Sequence, residues 1–152
     1  MGISRTLHTN LRTILNAIAS LQVVYNRPSM EFTGFPAAFM VPVSNDNQFQ
    51  STNENERMYS FRVWAFVEYD TVSADTAYNT LMDVIDDIVN AIDKEEDPQQ
   101  NTRIMGTALP SGYTLMAVMP ALGQIIPDEE VKLLAAEITV RCKVLVDLTL
   151  LS

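Results

Sequence analysis

Residues 57–69 alternate between the two faces of a β-strand, and this segment constrains the fold more than any other. One face is apolar or aromatic throughout: Tyr59, Phe61, Val63, Ala65, Val67 and Tyr69. The other face is mixed: Met58, Ser60, Arg62, Trp64, Phe66 and Glu68. Because successive side chains of a strand point to opposite sides of a sheet, the pattern predicts a long strand with its apolar face in the core. Helices on that side alone would leave the mixed face partly open to water.

Trp64 and Phe66 on the mixed face therefore need a cover. Two covers fit the sequence: a loop or helix of the same chain, or a neighbouring subunit. The composition favours assembly slightly, since 47% of the residues are hydrophobic and only 19% are charged, which is poor in charge for a soluble monomer.

Two amphipathic helices are predicted, one before this strand and one after it. Apolar residues recur every three or four positions in residues 3–23 and again in residues 73–93, where Ser73 is a suitable N-cap. The polar face of the second helix is a continuous, largely acidic stripe: Asp75, Asn79, Asp83, Asp86, Asn90 and Asp93. Such a stripe is usually a solvated helix face, and it also suits a surface that must repel other anions.

A short strand and a polar loop are predicted between the first helix and the long strand. Residues 35–43 alternate, but Pro36 and Pro42 cannot donate to a β-ladder, so this strand is expected at a sheet edge or with bulged ends. Residues 44–56 are polar and rich in Asn, with Phe49 as an exposed aromatic candidate. This length is unusual for a hairpin, so a projecting loop with a function is expected.

The last third of the sequence predicts a hairpin, a loop and a final strand. Residues 104–109 and 113–119 flank a Pro-Ser-Gly turn, which predicts a hairpin. Residues 120–130 contain two prolines, a glycine and three acids and are expected to form a loop. Residues 137–146 alternate as a strand with one dry face, on which Cys142 is expected as a small buried hydrophobe.

These elements predict an α+β fold: a two-layer sandwich in which a mostly antiparallel β-sheet has two main helices packed on one face. The length of 152 residues supports one self-sufficient core, so residues 1–152 are expected to form a single domain. Charged residues or prolines interrupt the apolar stretches, and the first 24 residues are amphipathic. We therefore expect neither a membrane span nor a secretory signal.

The sequence provides little for catalysis or nucleic-acid binding. The net charge is −9, which disfavours binding to a phosphate backbone. There is no glycine-rich phosphate loop and no Cys/His cluster, and the single histidine, His8, lies on the polar side of the first helix. A divalent cation on the acidic stripe would need ligands from another element. The chain is therefore predicted not to be an enzyme and to need no cofactor or metal.

Four features occur in one order: the amphipathic N-terminal helix, the Phe-Pro-Ala-Ala-Phe-Met-Val strand, a polar loop that runs into residues 57–63, and the helix of residues 77–92 with its Asp-Asp-Ile segment. In these features most of the chain resembles the tail terminator, or tail completion, proteins of long-tailed bacteriophages. The resemblance implies a structural virion protein assembled in the host cytoplasm. It implies a homo-hexameric ring at the head-proximal end of the tail tube that ends tube polymerisation and joins the tail to the head connector or stopper protein.

In such a ring, DNA would pass through a net-negative channel without specific binding. The residues expected at the subunit or partner interface are Trp64, Phe66, Arg5, Arg12, Phe49, Leu148, Leu150 and Leu151. The residues expected on the channel or acidic face are Asp75, Asp83, Asp86 and Asp93, with the acids of the 44–56 loop as the alternative. Other functions stay open: another head-tail connector subunit, a small α+β binding or adaptor module, or a metal-dependent hydrolase that uses the carboxylates of residues 75–93.

Overall fold

The computed structural model describes residues 2–28, 31–43, 46–49, 54–95 and 104–151. Within them the chain forms, in order, α1 (Ile3–Asn16), β1 (Val23–Tyr25), β2 (Ala37–Pro42), β3 (Asp46–Phe49), β4 (Glu54–Glu68), α2 (Ala74–Glu95), β5 (Tyr113–Asp128) and β6 (Leu133–Asp147). Short 3₁₀ turns, Thr71–Ser73 and Ile104–Gly106, precede α2 and β5.

The strands form one sheet in the order β1-β2-β4-β6-β5, and β3 pairs with β4 beyond the end of β2. Of the strand pairs that the described residues form, β1–β2 alone is parallel. The two 15-residue strands β4 and β6 pair along their whole length and form the centre of the sheet. The predicted α+β fold with a mostly antiparallel sheet is thereby confirmed.

Both helices pack on one face of this sheet. The alternating apolar residues of β4 and β6 are buried there, together with Leu7 and Leu11 of α1 and Leu81 and Ile88 of α2. Cys142 is buried on the same face, as expected. Burial of this kind contributes roughly 25 cal/mol for each Å² of apolar surface removed from water, so the helix layer is held mainly by its apolar stripes.

One polar residue in this layer was not singled out from the sequence. Asn10 of α1 is buried, and its side-chain amide donates hydrogen bonds to the backbone oxygens of Met105 (3.0 Å) and Thr107 (2.8 Å). These bonds attach α1 to the 3₁₀ turn that precedes β5. Asn10 falls on the apolar stripe of the helix, so its position in the sequence indicates that its side chain is buried.

The first helix is shorter than predicted. It ends at Asn16. The next backbone amides donate to oxygens three residues back, as in a 3₁₀ turn: Ala17 to Ile14 and Ile18 to Leu15. The Gln22 amide then donates to the Pro36 oxygen at 2.8 Å, and β1 pairs with β2. The helical period extended to residue 23 because Ile18 and Leu21 still reach the same core.

The predicted hairpin around the Pro-Ser-Gly turn is wrong, and so is the loop at residues 120–130. The real hairpin is β5–β6, and its turn is fixed by Asp128, whose carboxylate accepts hydrogen bonds from the Glu130 and Val131 amides. Since β5 is an edge strand, the missing amide protons of its prolines need not interrupt the ladder. Two register shifts, at Leu115/Ala117 and Leu122/Ile125, absorb further irregularity.

The polar loop at residues 44–56 is partly strand. Residues 46–49 form β3 and pair in antiparallel register with Asn55 to Met58, so the chain turns back on β4 as a hairpin extension. The predicted short strand is confirmed as β2, but it is not an open edge along its first half, because β1 pairs with Ala37 to Phe39.

Candidate assembly interface

The sheet face that points away from the helices is called the outer sheet face. Its β4 side chains are those of the mixed face of the long strand, and cross-strand register places Phe39 and Glu137 beside Trp64. In the same way, Ala37 and Ala135 lie beside Phe66. Paired residues share a face, so β2, β5 and β6 all contribute to this surface.

An aromatic cluster covers one half of the outer sheet face. The Phe66 ring centroid lies 4.9 Å from that of Phe32 and 5.2 Å from that of Phe39, and Phe32 also contacts Phe35 at 5.3 Å. Phe66 is only 8% exposed as a result. Of the two covers considered for Phe66, a segment of the same chain, residues 31–36, is the one present.

Trp64 lies at the edge of this cluster. Its ring stacks on Phe66 with centroids 6.5 Å apart and an interplanar angle of 25°, and the side chain is half-buried. The chain's own segment therefore covers Phe66 more completely than Trp64. This leaves the indole of Trp64 at the boundary between the covered and the uncovered parts of the face.

The other half of the outer sheet face, built by β5 and the adjoining side of β6, is uncovered by any residue that the structure describes. Met119 is 42% exposed and Ile126 is 40% exposed, and Ala121 between them is exposed as well. Register places Met119 beside Arg141, and Ile126 beside Ala135. We call Met119, Ala121, Ile126 and Arg141 the open patch. An apolar surface with a polar rim is typical of protein interfaces.

Charges on this face are mostly compensated within the chain. The Arg62 guanidinium lies 2.9 Å from the Glu137 carboxylate, and Lys143 lies 3.2 Å from Glu56. Gln124 donates a further hydrogen bond to Glu137 at 3.2 Å. Arg141 is exposed and has no ion-pair partner among the described residues. The open patch therefore has a positive charge that no ion pair with a described residue compensates.

The outer surface of α2 is acidic. Asp75, Asp83, Asp86 and Asp93 are all exposed, and none of them is in an ion pair within the described parts of the chain. Met82, which is 46% exposed, lies in the middle of this surface. The neighbouring Asp87 accepts a hydrogen bond of 2.7 Å from Ser20 and so belongs to the contact between α2 and the segment after α1.

Arg5 and Arg12 lie on the polar side of α1. Arg5 is exposed and Arg12 is half-buried, and the buried Arg12 Nε atom has no hydrogen-bond partner in the described part of the chain. Neither side chain is in an ion pair with a described residue. Another cation, Arg57, donates to the Tyr59 hydroxyl at 3.2 Å, and this bond raises the pKa of Arg57.

The C-terminal leucines have different environments. Leu148 and Leu151 are partly buried against the core of their own chain, whereas Leu150 is 57% exposed. Leu148 and Leu151 are therefore partly buried by their own chain. Of the three leucines, Leu150 is the one whose side chain is exposed enough to contact another subunit. Phe49 is in β3, where its backbone pairs with Asn55, and its side chain lies outside the described atoms.

A groove of about 640 Å³ runs between residues 32–36 and the first turns of α2. Its walls include Glu68, Ser73, Thr76 and Thr80, so it is lined by polar as well as apolar groups. Among the described residues there is no group of three His, Cys, Asp or Glu side chains that could hold a metal ion. In the same residues, no helix combines the length and the apolar character needed to cross a membrane.

Neither a protein-family model nor a curated protein sequence matches this chain. Among solved structures, the fold is similar to that of a chain in the structure described as the virion of a native gene transfer agent (GTA) particle, with a TM-score of 0.56. The match covers 94% of this chain and 94% of that chain at 13% sequence identity. The two chains therefore share a fold along nearly their whole length.

Proposed function

We propose that the chain is a non-enzymatic structural subunit of a virion, which forms a homo-hexameric ring at the head-proximal end of a phage tail tube. There it ends tube polymerisation and joins the tail to the head connector or stopper protein. The open patch carries this proposal, because an exposed apolar surface gains stability when a partner removes it from water.

Two further observations support the proposal. The likeness in fold to a chain of a gene transfer agent virion supports a structural role in a virion. The sequence resemblance to tail terminator proteins supports the position at the head-proximal end of the tail. The long β5 edge strand and the exposed Leu150 are additional surface that a ring or its neighbours would cover.

The experiment that tests the position in the tail is tube capping. The tail tube protein of the same virion is polymerised with and without this chain, and tube lengths are measured by negative-stain electron microscopy. We expect shorter tubes with a ring of this chain at one end only. Tubes of unchanged length with bare ends would contradict the terminator role. Binding to the head connector alone would instead favour the alternative, a neighbouring head-tail connector subunit.

Two surfaces are candidates for the channel wall: the acidic surface of α2 and the acids of residues 44–56. Acids on a channel wall would repel the phosphates of passing DNA, although the charge of Glu56 in the second set is partly balanced by Lys143 at 3.2 Å. The two are separated by neutralising each set of acids to Asn or Gln and measuring DNA ejection from assembled particles. Neutralising the set of acids that lines the channel is expected to lower the rate of DNA ejection. Neutralising the other set is expected to leave that rate unchanged.

Arg5 and Arg12 are proposed to pair with acids of the adjacent subunit, and Leu150 and Phe49 to lie at a subunit or partner contact. The unpartnered Nε of Arg12 supports its inclusion, because a buried polar atom without a partner is costly. A rise in salt from 50 to 500 mM is expected to weaken ring formation if these pairs exist, since screening shortens the range of exposed charges. Ring formation that is insensitive to salt would contradict the proposed ion pairs of Arg5 and Arg12.

A binding or adaptor module is the second candidate, because the groove beside α2 has the volume of a small-ligand site. That function predicts a stable monomer that binds a ligand saturably. A fluorescence titration with apolar dyes, with Thr76→Trp and Thr80→Trp as groove-blocking variants, distinguishes it from the virion role. Saturable binding that both variants abolish would favour the module.

A further inference from the structure

We infer that the subunits contact head to tail: the open patch of one copy packs against the acidic outer surface of α2 of the next copy. This inference rests on the proposed ring and specifies which surfaces form it. The partner of the open patch is thus a second copy of this chain, and the contact is heterologous, with two different surfaces of each subunit in use.

The chemistry of the two surfaces is complementary. The open patch presents Arg141, an exposed cation without an ion-pair partner among the described residues, next to the exposed Met119. The α2 surface presents exposed carboxylates around Met82, which is itself 46% exposed. Each surface therefore combines an exposed methionine with charge, and the charges are of opposite sign. Such complementarity aligns partners and rejects wrong pairings.

The helix positions keep the acidic surface on one side of α2. Exposed residues recur at spacings of three and four along the helix: Asp75, Asn79, Met82, Asp86, Asn90 and Asp93. Residues at these spacings lie in a row, so Met82 has Asp86 one turn away and Asn79 on its other side. The row faces away from the sheet, because Leu81, Ile85 and Ile88 of the same helix are buried in the core.

The layer architecture determines how copies repeat. The helices cover one face of the sheet and the open patch lies on the other, so the two complementary surfaces are on opposite sides of the subunit. A two-fold dimer would bring identical surfaces together and leave like charges opposed. Head-to-tail contact uses both surfaces of every copy. Such a chain of copies closes into a ring when the rotation from one copy to the next divides a full turn evenly, and otherwise it continues as an open filament.

This inference places the α2 acids between subunits and leaves the acids of residues 44–56 for the channel. Neutralising the α2 acids is then expected to impair ring formation and to leave DNA ejection unchanged in any ring that forms. The opposite result would overturn the inference.

The decisive experiment uses Arg141→Glu and Asp86→Arg, alone and mixed, with native mass spectrometry as the measurement. Each variant alone opposes like charges at every contact. We expect the concentration at which half the copies are in rings to rise about tenfold or more, because like-charge juxtaposition is unfavourable. An equimolar mixture restores opposite charges at every contact of an alternating ring, and it is expected to form rings with equal numbers of the two variants.

Matched controls are Arg27→Glu and Glu130→Arg, which make the same charge changes at exposed positions that belong to neither surface. They are expected to form rings like the unmodified chain. Thermal melting of each variant checks folding, which exposed substitutions should alter little. Two results would overturn the inference and leave the proposed ring intact. One is that Arg141→Glu alone forms rings at the same concentration as the unmodified chain, and the other is that the equimolar mixture forms no more rings than either variant alone. An unmodified chain that is monomeric throughout would overturn both.

Discussion

Gly112 is the residue at which backbone geometry most restricts the choice of side chain. It precedes β5 with φ of +90°, a region that residues with a Cβ rarely adopt. A Cβ built there would lie 3.1 Å from the Asp147 backbone oxygen and 3.2 Å from the Leu150 side chain. The Gly112 oxygen also accepts a 2.7 Å hydrogen bond from the Asp147 amide, which closes this end of the sheet.

Gly112→Ala is therefore expected to lower the free energy of unfolding by about 1–2 kcal/mol, the typical cost of a left-handed conformation with a Cβ. Gly106→Ala is the matched control, because its new Cβ would be 3.8 Å from the nearest atom, at ordinary contact distance. Urea unfolding followed by circular dichroism measures both. Equal stability of the two variants would contradict this account of Gly112.

Asn10 is the other residue whose role is specific. Replacing it by Ala leaves the Met105 and Thr107 oxygens without their side-chain donor, so we expect a loss of about 1–3 kcal/mol in the free energy of unfolding. Asn16→Ala at the exposed end of α1 is the control and is expected to change stability by less than about 0.5 kcal/mol. Thermal unfolding of both variants tests the difference, and an unchanged Asn10→Ala midpoint would refute it.

Among the secondary-structure elements, β4 carries two aromatic side chains on the outer sheet face that differ in burial: Phe66 is buried and Trp64 is half-buried. Residues 31–36 cover Phe66, whereas Trp64 lies at the edge of the aromatic cluster, with Glu137 of β6 beside it. We predict that Trp64→Ala weakens subunit association by about 2 kcal/mol or more, as expected for an aromatic anchor at an interface. Trp64→Phe keeps a ring and should retain most of the association. Sedimentation equilibrium measures both, and undiminished association of Trp64→Ala would exclude Trp64 from the contact.

The elements also show what the sequence predicts and where it fails. The central strands and α2 were predictable because their alternating or helical apolar pattern continues over many residues, as in β4 and β6. Residues 113–119 of β5 were predicted as a strand, but its continuation through residues 120–128 was missed, because Pro120, Gly123 and Pro127 are local turn signals that an edge strand tolerates. The cover over Phe66 was one of two open alternatives, since residues 31–36 carry no periodic pattern that places them there.

For the assembly surfaces, the sequence predicts Trp64, Phe66 and the acidic residues of α2 but does not predict the open patch. Met119 and Ile126 fell at the end of a predicted hairpin and within a predicted loop, so no face could be assigned to them. Arg141 was placed on the wet side of the last strand, but its lack of an ion-pair partner among the described residues depends on three-dimensional neighbours. Surfaces built by several strands require the register, which local patterns do not contain.

For the molecule as a whole, the proposed ring would present a net negative charge to passing DNA. The net charge is −9, and the open patch and the α2 surface provide two complementary sides for head-to-tail contact. Electrostatic contacts of exposed groups weaken with salt because the screening length falls to about 3 Å at 1 M. We therefore predict that dissociation of the ring increases steeply between 0.1 and 1 M NaCl, as measured by analytical ultracentrifugation. A ring whose dissociation does not change with salt would show that charge is not the main source of its stability.

Native mass spectrometry of the chain over a concentration series, with negative-stain images of any large species, tests directly whether it forms a ring. The proposed function predicts a closed ring of six copies whose fraction rises with concentration, and images with a central hole. A chain that stays monomeric at every concentration would contradict the claim that it is a ring-forming virion subunit.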